Sequence, residues 1–581
     1  MLLPLQSPCP SEDSSSQPIK IMIIGDSISH GREGDHTWRY RLFSWLQSQS
    51  VPFQFVGPYE GTVPPDEPHP PRPPPLIGES PLPPEPLRTN GGYANSVSES
   101  FLVNSDHFAG SGRHIYECKS LVAEQISLYK PDLCLVQLGF NDLAWLRSSP
   151  STTLQHMKAL IDNARLVKPD VKFAVANVPH RTDIPGQEWL GLNTDIYNAL
   201  MARRLPSWET RKSEVRLVRL CDNYSCGGRD SRGAYDGLHP NSRGEWEIAQ
   251  AFSRTMVKEF GIGRDEIELP ERIEERRLDV PRGVEAFSAP CGVVVEWEKV
   301  YGAHGYEIET LGKPGVRCLS VNKLYETGCL DGEVCRYRVR ACYGDKVRSG
   351  WTEVVEGVAR PETAPPPGNI RLWAREEGFE IELDRPEGEF ARDIDRYGVV
   401  VYDYCLPDNY PGYHGVKGER GEINGLKKGH RYAVSVRTWN KAGEGMPGIC
   451  EREVVVGRVG RVQIPRGLRV MVLSSGGVEL VWPVDYDVGG YEVWGLNEAE
   501  GRQECIFKCP VDGYECGKRI VYWLEPSLRA WQFAIKAYNG NRESNLSVWV
   551  PVPGTDPKLE TSPISLSLET HDTIAIGITH S

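Results

Sequence analysis

No run of apolar residues in this chain approaches the about 18 that would cross a bilayer as a helix, so no transmembrane segment is expected. Positive charge is in deficit: 66 Lys and Arg stand against 79 Asp and Glu, for a net charge of -13. Without a sustained basic stripe, nucleic acid is not expected as the main partner. Metal-knuckle spacing is missing as well. The 15 cysteines, an odd number, contain no Cys-x-x-Cys pair followed by a second such pair, which argues against a zinc ribbon. They read as small buried hydrophobes with free thiols, although Cys221 and Cys226 are close enough for a local disulfide and Cys505, Cys509 and Cys516 cluster in the same way. A secretory leader is not expected from the first residues either. Residues 1–17 are rich in Pro and Ser, with neither a basic start nor a long apolar core, and make a poor secretory signal. The compartment therefore stays open: cytoplasmic, exported by another route to the surface or medium, or encoded with a start that lies elsewhere. The sequons at Asn223-Tyr-Ser and Asn545-Leu-Ser matter only in the secretory pathway.

What is present is enough chain for several cores. With 581 residues and 39% hydrophobic residues, roughly four domains of about 150 residues each are expected. The stretch around which the first of these is organised is Ile19-Lys20-Ile21-Met22-Ile23-Ile24-Gly25-Asp26-Ser27. Its β-favouring apolar run reads as a short strand buried on both faces, ending at Gly25 in a tight turn. A helix from Asp35 or Thr37 to Gln49 follows, with Trp38, Leu42, Trp45 and Leu46 on its apolar face. Ser27 then lies at the carboxyl edge of a parallel sheet, where α/β folds place ligands.

Further strands are expected at Pro52–Gly57, Asp132–Gly139, Val171–Val178 and Val215–Cys221. Helices are expected at His114–Lys130, with Ile115, Leu121, Val122, Ile126 and Leu128 as core contacts, at Ser151–Val167, at Leu192–Arg204, and from an Asn241 or Ser242 cap to Phe260. The alternation predicts an α/β doubly wound parallel sheet with helices on both faces. It is interrupted at about 58–95 by a proline-dominated insertion that favours extended structure and reads as an exposed loop or lid.

From Pro281 onward helical periodicity disappears. Three segments repeat at a spacing of roughly 90 residues, opening near Pro281, Pro366 and Pro465. Each has a Tyr-bearing strand (Gly305-Tyr306, Arg396-Tyr397, Gly490-Tyr491) and a later alternating strand (Tyr337–Ala341, Tyr432–Arg437, Trp531–Ala537); Trp297 and Trp482 add an early strand tryptophan to the first and third. Leu426-Lys-Lys-Gly-His-Arg-Tyr432 has tyrosine-corner spacing. These features resemble fibronectin type III β-sandwiches, all-β units of two packed sheets. The expected organisation is a disordered 1–17, an α/β domain over 18–263, a linker at 264–279, sandwiches at 280–360, 365–457 and 463–553, and a disordered tail at 555–581.

The chemistry is carried by residues far apart in the chain. Ser27 follows the first strand, Gly112 lies on a glycine-rich turn, Asn141 follows the strand ending at Gly139, and Asp236 and His239 share a late loop. A serine hydroxyl is a weak nucleophile until a base takes its proton. His239 can serve with one ring nitrogen while Asp236 holds the other. The backbone N–H groups of Ser27 and Gly112 and the Asn141 amide offer three donors for an oxyanion. Gly25-Asp26-Ser27, Gly112, Gly139-Phe140-Asn141-Asp142 and Asp236-Gly237-Leu238-His239-Pro240 resemble, in order and spacing, the four blocks of the SGNH (GDSL-type) hydrolases over about 19–262. The resemblance implies Ser27 as nucleophile, His239 as base oriented by Asp236, and an oxyanion hole of Ser27, Gly112 and Asn141, with no cofactor and no metal. Within the family, Ile21–Gly31 and Thr37–Leu42 are most similar to acetylxylan-esterase-type carbohydrate esterases, whereas Ala109-Gly110 and Arg113 depart from that group's Gly-His and Trp.

The reading is therefore a serine esterase acting on a small acyl ester, an acetyl on a carbohydrate such as an acetylated polysaccharide. A lysophospholipase or thioesterase with the same triad is the first alternative. A non-catalytic adhesion or scaffold protein is the second. The sandwich modules serve as spacers, or bind glycan or protein.

Overall fold

The computed structural model describes residues 17–80, 83, 85–228, 231–406, 410–511, 516–522, 524 and 530–554. The expected disorder at the start of the chain and beyond 554 falls outside these residues, apart from Gln17, which is exposed.

The N-terminal domain alternates strand and helix. Its elements are β1 (Ile19–Gly25), α1 (Ser27–His30), α2 (Thr37–Ser48), β2 (Phe53–Phe55), α3 (Glu99–Leu102), β3 (Phe108–Ala109), α4 (Ile115–Tyr129), β4 (Leu133–Gln137), α5 (Phe140–Ala144), α6 (Pro150–Val167), β5 (Lys172–Ala176), α7 (Glu188–Arg204), β6 (Val215–Val218), α8 (Leu220–Asn223) and α9 (Ser242–Phe260). The strands form one parallel sheet in the order β2-β1-β4-β5-β6, with β3 also paired to β1. A parallel sheet needs helical crossovers and cover on both faces. Ile21, Met22, Ile23 and Ile24 are fully buried as a result.

Helix α2 packs on α9, where the Trp38 and Phe252 rings stack at 4.6 Å. Trp38, Leu42, Trp45 and Leu46 are all buried, as the spacing of α2 predicts. Helix α4 differs from expectation. Its buried residues are Ile115, Cys118, Val122 and Ile126, while Leu121 and Leu128 face solvent. The buried stripe takes Cys118 at the i+3 position from Ile115, and steps of four from there reach Val122 and Ile126 in the core of the domain. Helix α9 starts as predicted: the Asn241 side chain accepts from the N–H groups of Arg243 and Gly244. Cys221 and Cys226 carry free thiols, so the local disulfide is not formed, and Cys505, Cys509 and Cys516 are not joined in a disulfide either.

Three all-β modules follow, each a three-stranded and a five-stranded antiparallel sheet. The first contains β7 (Glu285–Ala289), β8 (Gly292–Glu296), β9 (Gly305–Thr310), β10 (Val316–Leu319), β11 (Lys323–Glu326), β12 (Val334–Tyr343), β13 (Val347–Arg348) and β14 (Val355–Val358). Trp297 and Trp482 are buried in their cores. In each module a tyrosine hydroxyl accepts a backbone N–H: Tyr306 from Val300 at 2.9 Å, Tyr432 from Lys427 at 2.9 Å and Tyr491 from Asp485 at 2.6 Å.

The chain divides into two compact units. The first comprises the α/β domain and the first module, residues 1–70 and 82–361. Within it the 264–279 segment is anchored and not loose: Ile267 is buried against α9, and Arg276 is nearly buried. The second unit comprises residues 71–81 and the remaining two modules. In it the middle of the proline-rich insertion is docked. Gly415 donates its N–H to Pro75 at 2.9 Å, and Arg396 bonds Pro74 O and the Glu79 carboxylate, each at 3.0 Å.

Candidate active site

Strand β1 delivers the Gly25-Asp26-Ser27 turn to the carboxyl edge of the sheet. Gly25 has ordinary backbone dihedrals; what demands glycine there is space, since a Cβ would sit 2.4 Å from the Ser29 side chain. Asp26 then caps α1: its Oδ1 accepts the Ile28 N–H at 3.0 Å. Ser27 is the first residue of that helix, where a backbone N–H has no intrahelical acceptor. This four-residue helix directly after the serine is not foreseen by the apolar spacing, because one turn carries no period.

Three of the predicted residues meet directly. The Ser27 hydroxyl lies 2.9 Å from His239 Nε2, and His239 Nδ1 lies 2.7 Å from Asp236 Oδ2. The other Asp236 oxygen accepts the N–H groups of His239 at 2.8 Å and Leu238 at 3.1 Å. Burial alone would raise the Asp236 carboxyl, but the hydrogen bond and charge of His239 and these two N–H groups together hold it down to about 2. Asp236 is thus an anion throughout the neutral range and fixes the proton of His239 on Nδ1. Nε2 is then left to accept from the serine.

Gly112 and Asn141 lie together on the next two strand ends. Gly110 N–H bonds Gly25 O at 3.0 Å, which lays the 110–113 turn beside Ser27. Gly112 has φ +75°, and among the described residues none accepts its N–H. Asn141 Nδ2 donates one hydrogen to Arg113 O at 3.1 Å, leaving its second free. Asp142, read as structural, is so placed: its carboxylate accepts the N–H groups of Ile115 at 2.8 Å and Tyr116 at 3.2 Å and caps α4.

The neighbouring histidines hold this scaffold. Burial, then the charges of Arg39 and Arg113, lowers His30 to about 3, so it is neutral. Its Nδ1 accepts the Ser111 N–H at 3.2 Å, tying the glycine-rich turn to α1. His107 Nδ1 accepts from Ala109 at 3.0 Å. Arg39 is the scaffold residue that the sequence reading did not single out. Fully buried, it donates to Ser29 O, His30 O, Ser105 O, Gly61 O and Tyr93 Oη. It fastens the segment after Ser27 to the base of the insertion. An arginine in the middle of an apolar helical face is the sequence signal that marks it.

The fold, the Ser27–His239–Asp236 alignment and the two donor-bearing turns coincide with a family match: residues 21–252 fit the model described as GDSL-like Lipase/Acylhydrolase. That match makes these residues similar to GDSL-type hydrolases. Among solved structures, this chain is similar to a carbohydrate esterase family 3 protein from Talaromyces cellulolyticus, at 19% identity and a TM-score of 0.30, over 41% of this chain and 97% of that one. A family 3 carbohydrate esterase from Clostridium thermocellum matches at 22% identity and 0.30, over 42% and 96%. A segment of two fibronectin type III domains from chicken tenascin matches at 17% identity and 0.15, over 32% and 99%. No curated protein matches the chain. The stretch that matches the GDSL-like lipase/acylhydrolase model is followed by three all-β modules. Among the described residues no helix is long and apolar enough to cross a membrane.

Proposed function

We propose that this protein hydrolyses a small acyl ester, an O-acetyl group on a carbohydrate, through an acyl-enzyme on Ser27. The observation that carries the reading is the continuous hydrogen-bonded line from Asp236 through His239 to Ser27, at 2.7 and 2.9 Å. In the first half-reaction the Ser27 oxygen attacks the ester carbonyl carbon while its proton passes to His239 Nε2. Asp236 stabilises the imidazolium that forms. The carbonyl oxygen, now an anion, accepts from the N–H groups of Ser27 and Gly112 and from the free Asn141 amide hydrogen. Collapse of the tetrahedral adduct breaks the ester bond, and the leaving sugar oxygen takes the proton from Nε2. Water then attacks the acetyl-Ser27 carbonyl by the same route, releasing acetate and restoring the serine.

The sugar ester as substrate is supported by the likeness of Ile21–Gly31 and Thr37–Leu42 to acetylxylan-esterase-type enzymes. The test is steady-state turnover of p-nitrophenyl acetate and of a panel of acetylated glycans and longer acyl lipids. Ser27→Ala is expected to reduce turnover to background with the fold intact by circular dichroism. Unchanged turnover in that variant would refute the mechanism, and a preference for long acyl chains would refute the substrate class.

A further inference from the structure

The loop that carries Asp236 and His239 is held on one side by the hydrolase domain, where Tyr224 donates its hydroxyl to Leu238 O at 2.6 Å and Thr182 donates its N–H to Gly237 O at 2.9 Å. Its other side is met by the first fibronectin-like module. Tyr235, the residue before Asp236, gives its N–H to His239 O at 2.9 Å and receives at its own carbonyl the N–H of Asp345, at 2.8 Å, from the turn between β12 and β13. The Tyr235 ring stacks on His239, with centroids at 5.7 Å and planes 17° apart. Behind it stand two rings of the module, His304 at 4.6 Å and Tyr343 at 5.1 Å. Arg276 lies over the Tyr343 ring at 4.1 Å and binds Asp35 at 2.6 Å, so the module's stack is fixed in turn to the hydrolase domain. A cavity of 440 Å³, lined by Arg232, Ala234, Asn241, Arg243, Tyr343 and Lys346, flanks the loop. On that flank the Gly344-Asp345 turn and the Tyr343 ring pack on the loop.

From this geometry we infer that the first fibronectin-like module is a positioning part of the active site, with Tyr343 and the Gly344-Asp345 turn setting the Tyr235 ring and backbone and thereby the aim of His239 at Ser27. The inference rests on the hydrolytic reading of Ser27. It gives this module a role other than spacer or glycan binder. A general base must lie within hydrogen-bond reach of the proton it takes, so a shift of about 1 Å in His239 is enough to lose much of the rate. Glycine is required at 344 for contact: its φ is +58°, and a Cβ there would stand 2.4 Å from Tyr235 O.

The test is made in the full chain. Tyr343→Ala removes the ring, Tyr343→Phe keeps it, and Gly344→Ala pushes on Tyr235 O from an exposed turn. For each, kcat and KM for p-nitrophenyl acetate, the extent of Ser27 labelling by a fluorophosphonate and the thermal unfolding midpoint are measured. Tyr343→Ala and Gly344→Ala are expected to lower kcat about tenfold or more with KM nearly unchanged, while Tyr343→Phe retains the wild-type kcat. Should Tyr343→Ala fail to fold, Gly344→Ala decides. Wild-type kcat in folded Gly344→Ala and Tyr343→Ala protein overturns the inference and leaves the Ser27 chemistry standing. A wild-type protein that neither turns over nor labels overturns the hydrolytic reading, and the inference falls with it.

Discussion

Asp26 and Asp236 are the same side chain held in opposite electrostatic conditions a few ångströms of chain from the reacting groups. Asp236 has a histidine and two N–H donors, and its carboxyl sits at about 2. Asp26 is wholly buried with one N–H donor and a long contact to Gln137, and burial pushes it up to about 7. The signs follow from linkage. The depressed Asp236 adds stability above pH about 4, which is lost as pH falls toward 2. The raised Asp26 does the reverse: its contribution is full below pH about 4 and is lost as pH rises through 7. Asp26→Asn keeps an oxygen for the Ile28 N–H but removes the buried charge. Its unfolding midpoint relative to wild type should therefore climb between pH 5 and pH 8, a trend that a pH series of calorimetric scans reads directly. A flat difference would show that Asp26 is already ionised in the folded protein across that range and that its carboxyl is not raised. The two aspartates were both visible in the sequence as members of short motifs, Gly-Asp-Ser and Asp-Gly-Leu-His. Their opposite surroundings were not visible, because desolvation depends on what packs over a carboxyl in space.

At the scale of elements, the decisive units are the turns at the ends of β1, β3 and β4 and the loop before α9. Each turn has a local cause. A glycine admits the Ser29 side chain at Gly25, a left-handed residue closes the turn at Gly112, and carboxylates cap α1 and α4. At Gly112 two demands coincide, since its φ is +75° and a Cβ would stand 3.2 Å from the Trp145 ring. Gly112→Ala is expected to displace the 112 N–H and lower kcat for p-nitrophenyl acetate by about a hundredfold, the order seen when one oxyanion donor is lost. The stability cost should be only about 1 kcal/mol. An activity within twofold of wild type would mean that Gly112 is a turn former and no donor. The strands and the long helices were legible because apolar period and caps specify them locally. Helix α4 shows the limit. Leu121 and Leu128 are exposed while Cys118 is buried, since which of two neighbouring stripes faces inward is settled by the core the helix packs on and not by hydrophobicity alone.

At the scale of the molecule, the hydrolase domain and the first fibronectin-like module are joined by buried charge as well as by rings. Burial alone would raise the Asp35 carboxyl, but His304 and Arg276 hold it down to about 2. Burial also lowers His304, so the standing cation facing Asp35 near neutral pH is Arg276. Removing one member of such a pair leaves an uncompensated buried charge and costs about 3 to 5 kcal/mol. Arg276→Met should therefore lower the denaturant midpoint of unfolding sharply, and Arg276→Met combined with Asp35→Asn should recover most of the loss. Equal destabilisation by the double variant would rule out charge as the cause. The sequence by itself determined the parallel α/β domain and the repeating β-modules, and it proposed Ser27, Gly112, Asn141, Asp236 and His239 as the site, because strand period, capping and short motifs are written locally along the chain. The tertiary structure alone decided that Arg39 and His30 brace the serine segment, that His304 and Tyr343 reach the histidine loop from outside the α/β domain, and that Arg276 ties Tyr343 to Asp35. Most of those contacts join residues far apart in the chain, and their energies come from desolvation and ring packing that exist only once the surfaces have met.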